Sequence, residues 1–108
     1  MPILQIKILF LWSMKISSLY FILNMDNSEK ILAAAIEKDL IKIGNRLKFL
    51  RKSKGYSSPD LFAYDHGINR SQYGKYEAGR TNITISTLIS IIRHFELDLE
   101  NFFKIETK

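Results

Sequence analysis

Residues 58–79 read SPDLFAYDHGINRSQYGKYEAG, and this stretch decides the fold. Ser58-Pro59-Asp60 is a helix start. Serine accepts from an amide with no helical partner, proline suits the first helical position, and aspartate sits at the positive end of the dipole. Leu61, Phe62, Ala63 and Tyr64 follow, and Gly67 stops the run. Asn69 then caps another helix, which reaches about Ala78 with Gly79 past its end. The stretch therefore predicts a helix over about Ser58–His66, a turn centred on Gly67-Ile68, and a second helix opening at Asn69. Two short helices joined by a tight glycine turn form a helix-turn-helix.

That geometry implies a mechanism. Phe62, Ala63, Ile68, Tyr73 and Tyr76 hold the two helices at a steep angle, and Ala63 is small where they must approach. The second helix can then enter a DNA major groove about 12 Å wide. Away from the core it carries Arg70, Ser71, Gly74 and Lys75, with Gln72 near the edge. Arg70 is suited to bidentate pairing with guanine, Gln72 to adenine or backbone, and Lys75 to guanine or phosphate. Gly74 has no side chain to hold the helix away from DNA. Arg70, Ser71, Gln72 and Lys75 are the candidate base contacts.

Upstream, residues 28–53 have helical spacing, from Ile31, Leu32, Ala34 and Ala35 to Leu40, Ile43, Leu47 and Leu50. Asp26 with Glu29, or Ser28, can cap the start. Gly44 interrupts the pattern and marks either a kink or a close helix contact. One long helix, or two meeting near Lys38–Gly44, both fit. Gly55 ends the element. Downstream, Thr84 or Ser86 opens a helix with Ile85, Leu88, Ile89, Ile91, Ile92 and Phe95 as its apolar face. Asp98 caps a last short helix over Leu99–Lys104, expected to bury Leu99, Phe102 and Phe103. No segment alternates long enough to be a strand. The fold expected is all-α, a compact four- to five-helix bundle containing a helix-turn-helix, with an extra N-terminal segment.

The 108-residue chain has 46% apolar residues, enough for one core, and no cysteine. No disulfide framework, thiolate metal site or cysteine nucleophile is therefore available. Residues 38–80 hold ten Lys or Arg against four acids, a net +6. Such concentrated charge favours a polyanionic partner. His66 and His94 show no evident partner at metal or triad spacing. Asp60 and Asp65 do not face each other on a short helix, and no glycine-rich phosphate loop is present. Neither an enzyme, a metal site nor a cofactor is expected.

Residues 1–24 follow another pattern, with sixteen apolar residues and no acid. Lys7 and Lys15 break the run below the roughly 18–20 apolar residues that a spanning helix needs. A secretory signal lacks a convincing cleavage site. A start at Met25, with 1–24 as untranslated upstream sequence, is the preferred reading over a membrane or interfacial anchor or an extra core helix. The division expected is 1–24 as an apolar extension, 25–38 as an N-terminal helical extension, 39–104 as the DNA-binding domain and 105–108 as a tail.

Residues from about Ile43 to Phe103 resemble the lambda-repressor/Cro-like helix-turn-helix family, often called the Xre family. The resemblance lies in Ile43-Gly44-Asn45-Arg46-Leu47-Lys48, Leu50-Arg51, Ala63, Gly67-Ile68, Tyr76-Glu77 and Gly79, then Leu88, Ile91 and Leu99–Phe103. It implies a cytoplasmic bacterial repressor that binds double-stranded DNA, acting as a homodimer on a palindromic operator. It makes Arg51 and Glu77 a buried structural ion pair. It makes Arg80, Thr81 and Asn82 backbone contacts, alongside Ser58 and Asn69. One departure is Pro59, where the family often has a phosphate-gripping glutamine; Ser58 or the helix N-terminus must serve instead. A second class of partner is a toxin or other protein, in an antitoxin that also binds its own operator. A membrane-tethered regulator is the third possibility, and requires residues 1–24 to be real.

Overall fold

The computed structural model describes residues 23–106, so the readings made for the first 22 residues lie outside the described residues. The chain divides into two units, Met1–Ala35 and Ile36–Lys108. Among the described residues from Asn27 on there are five α-helices: α1 (Asn27–Ser53), α2 (Pro59–Asp65), α3 (Arg70–Ala78), α4 (Ile85–Ile92) and α5 (Leu99–Lys104). A 3-10 turn, Arg93–Phe95, extends α4. Among the described residues there is no strand, and no helix is long and apolar enough to cross a membrane.

α1 is one uninterrupted helix. Asp26 Oδ1 accepts from the Glu29 amide and the Ser28 hydroxyl, each at 2.8 Å, which lowers the carboxyl pKa. Gly44 neither kinks nor breaks α1. It is buried, and a Cβ there would stand 2.4 Å from the carbonyl oxygen of Glu77 and 2.7 Å from that of Tyr76. The glycine is therefore the point where α1 meets the last turn of α3. The apolar periodicity of α1 overstates its burial: Leu47 is buried and Ile43 and Leu50 are partly so, while Ile31 and Leu32 remain exposed.

The core of the Ile36–Lys108 unit consists of Leu47, Phe62, Ala63, Tyr73, Leu88, Ile91, Ile92 and Phe102. Phe62 is its aromatic centre, stacked on Phe95 at 4.9 Å and packed against Tyr73 at 5.1 Å. Burial of each such side chain contributes about 1.5–3 kcal/mol. α4 is capped by Thr84, whose hydroxyl accepts from the Thr87 amide, and it buries Leu88, Ile91 and Ile92. Ile85, expected on that face, is exposed, because it occupies the first turn beyond the core's edge. α5 is capped by Asp98 and anchors the bundle through Phe102. Phe103 is exposed, because it lies about 100° round the short α5 from Phe102, away from the side that meets the core. Arg46 lies over its ring and donates to the Ile105 carbonyl.

Candidate nucleic-acid interface

The two helices of the 58–79 stretch are held by cap chemistry at each end. Ser58 Oγ accepts from the Leu61 amide at 3.2 Å, and Pro59 occupies the first turn. At the other end of α2 the His66 amide donates to the Phe62 carbonyl at 3.1 Å and the Gly67 amide to the Tyr64 carbonyl at 3.3 Å. Gly67 adopts φ +68°, a left-handed conformation that glycine tolerates at little cost. The chain then reverses, and the Ile68 amide donates to the Ala63 carbonyl at 2.8 Å. Asn69 Oδ1 accepts from the Gln72 amide at 2.9 Å and opens α3. Gly79, at φ +68°, closes it.

One side of α3 is fixed. Tyr73 is fully buried, and Glu77 is buried one turn on. Glu77 receives a bidentate grip from Arg51, Nε to Oε2 at 2.8 Å and Nη2 to Oε1 at 3.0 Å. Arg51 Nη1 also donates to the Tyr56 carbonyl at 2.8 Å. A guanidinium with only 3% exposure thus ties α1, the loop before α2 and the end of α3. The Tyr73 hydroxyl is buried without a well-formed hydrogen bond. Burial, reinforced by the neighbouring Glu77 carboxylate, pushes its pKa far above the usual phenol value.

The other side of α3 is open. Arg70, Ser71 and Lys75 are exposed, and nothing lies within 4 Å of the place a Cβ would take at Gly74. Gln72 is only half-exposed, and its Nε2 donates to the Tyr76 hydroxyl at 3.2 Å. Asn69 is exposed, with its amide oxygen committed to the cap. Ser58 is half-buried; its oxygen accepts in the cap while its O–H remains a donor. Arg80 and Asn82 are exposed and Thr81 half-buried, in the loop between α3 and α4.

Two contacts of this region were missed in the sequence. Arg70 Cζ lies 5.9 Å from the centroid of the Tyr64 ring, on the exposed side of α2. The only local signal is that a seven-residue helix containing Leu61-Phe62-Ala63-Tyr64 cannot bury all four. The two histidines, read as unpartnered, also meet: His66 Nδ1 and His94 Nδ1 are 3.1 Å apart. They stand 28 residues apart in sequence, so no local pattern links them. Among the described residues no cluster of three or more metal-ligating side chains exists.

Residues 44–106 match the helix-turn-helix domain family, which is more than half of the chain. The chain belongs to the helix-turn-helix domain family. DNA-binding transcription regulation accompanies this membership. The chain is similar to the control protein C.MunI of a Mycoplasma species, 33% identical over 63 residues, which is 58% of this chain and 85% of that protein. It is also similar to an SPbeta prophage-derived uncharacterized HTH-type transcriptional regulator, YonR, of Bacillus subtilis strain 168. That similarity is 44% identity over 48 residues, covering 44% of each chain. No solved structure matches significantly.

Proposed function

We propose that this protein is a sequence-specific transcriptional regulator of the Xre type, a cytoplasmic repressor that inserts α3 into the major groove of a palindromic operator as a homodimer. One observation carries the reading: α3 has its inner side locked by Tyr73 and Glu77, while Arg70, Ser71 and Lys75 are exposed around an open Gly74. A helix held rigidly at its back with donors at its front suits base readout. Both named similarities, to a control protein and to an HTH-type transcriptional regulator, support the same direction.

In this reading Arg70 pairs with guanine O6 and N7 through two N–H groups, Ser71 serves either base edge, and Lys75 reaches guanine or a phosphate. Gln72 donates one Nε2 hydrogen to Tyr76 and keeps its second hydrogen and Oε1 for adenine. Arg80, Thr81 and Asn82 hold phosphates beyond the helix, with Asn69 and the Ser58 O–H before and beside it. The residues 39–104 form the DNA-binding domain of this proposal.

Selection of bound duplexes from a random pool by the full chain tests the reading. An enriched motif with two-fold symmetry is the expected result; recovery of unselected sequence would refute it. Against the selected site, Arg70→Ala costs about 1–3 kcal/mol and relaxes preference at one base pair. Arg80→Ala weakens selected and random duplexes alike, and lowers the salt slope by about 1.

A further inference from the structure

We infer that Tyr64 is a positioning residue for base recognition, holding Arg70 ready for its base pair; the inference rests on the DNA-binding reading above. α2 has seven residues, and Phe62 and Ala63 fill its core side. Leu61 and Tyr64, three apart, share the opposite side and are 54% and 71% exposed. A ring that open contributes little to the core. Its neighbour across the turn is Arg70, whose Cζ lies 5.9 Å from the ring centroid.

Arg70 is the first residue of α3. The positive end of a helix dipole is an unfavourable place for a cation, and no acid in the first turn of α3 offsets it. Among the described residues Arg70 forms no salt bridge, and its guanidinium lies over the Tyr64 ring. The negative face of a tyrosine quadrupole attracts the guanidinium without occupying an N–H. All five N–H donors thus remain for a guanine edge. The contact also narrows the range of a long, rotamer-rich side chain before DNA arrives, which reduces the ordering left to be done on binding. Tyr64 is placed to sharpen what Arg70 reads without touching a base itself.

The test uses the full chain, the duplex selected above, and a duplex changed only at the base pair that Arg70→Ala relaxes. The readout is the ratio of the two dissociation constants. Tyr64→Ala and Tyr64→Leu are expected to lower that ratio by about two- to fivefold, the range of an exposed cation–π contact. Tyr64→Phe, which keeps the ring face, retains it. In the Arg70→Ala background, Tyr64→Ala causes no further loss. Thermal midpoints shift by no more than a few degrees, because Tyr64 is exposed and its contact with Arg70 is weak.

Three results would overturn the inference while leaving the DNA-binding reading intact. They are an unchanged ratio in Tyr64→Ala, a loss in Tyr64→Phe equal to that in Tyr64→Ala, or a full repeat of the loss when Arg70 is already absent. The last would mean that Tyr64 meets DNA directly. A wild-type chain with no preference between duplexes would overturn both.

Discussion

Replacing Gly44 with alanine sets two physical effects against each other. Alanine in a helix interior is favoured over glycine by about 1 kcal/mol. The new Cβ, however, would stand 2.4 Å from Glu77 O and 2.7 Å from Tyr76 O, whereas ordinary contact begins at 3.4 Å. α1 and the end of α3 would have to part by about 1 Å at a place where both neighbours are backbone. Neither can yield by rotating a side chain. Gly79 brings its own backbone against Ile41, and Arg51 holds Glu77 from the same helix. Overpacking of about 3 kcal/mol, the upper end of the usual range, then applies. Less the propensity gain, the net loss is about 2 kcal/mol, or roughly 10 °C in Tm for a domain of this size. Gly74→Ala is the matched control. It makes the same chemical change, in α3, with nothing within 4 Å of the new atom. It is expected to stabilise by about 0.5–1 kcal/mol. Urea and thermal unfolding of both variants measure the difference. A Gly44→Ala midpoint that rises alongside that of Gly74→Ala would refute the close contact.

Gly74→Ala should also weaken binding to the selected duplex while raising stability, checked by titrating the same preparations with DNA; unchanged affinity would show that α3 does not approach DNA at that point. Glu77→Ala, leaving Arg51 buried without its carboxylate, should cost about 3–5 kcal/mol. Arg51→Met with Glu77→Leu should recover most of that in urea melts, and a double variant no better than Glu77→Ala would count against the ion-pair account. Acid should destabilise the fold. Burial, then His94, then Lys54 hold the His66 pKa below its ordinary 6.5. The unfolded chain therefore takes up the proton first as pH falls, so this contribution is intact above that value and is lost toward the lower folded-state pKa. The wild-type urea midpoint should drop between about pH 7.5 and about pH 5.5, with a smaller drop in His66→Gln. Equal pH dependence in the two proteins would exclude His66 as the cause.

Cap chemistry was legible in the sequence because it is local. Ser58-Pro59, Asn69, Thr84 and Asp98 each form a hydrogen bond within three residues, so the helix starts follow from short strings. The Gly67 and Gly79 stops are equally local, since both adopt left-handed backbone. What a helix packs against is not local. Periodicity placed Ile31, Leu32 and Ile85 with the apolar positions, yet each is exposed. The purpose of Gly44 could not be read without Glu77, 33 positions on, arriving over it. The histidine pair and the Tyr64–Arg70 contact follow from the turn and the bundle, which bring together groups that no spacing rule connects.

Arg51 makes its three hydrogen bonds to Glu77 and the Tyr56 carbonyl, and none to Arg70, Ser71 or Lys75. The mounting of α3 and its outward side chains are thus separate parts. On the proposed reading, recognition can diverge by exchanging the front residues while the angle of presentation stays fixed, so one frame would serve successive operators, in nature or by grafting.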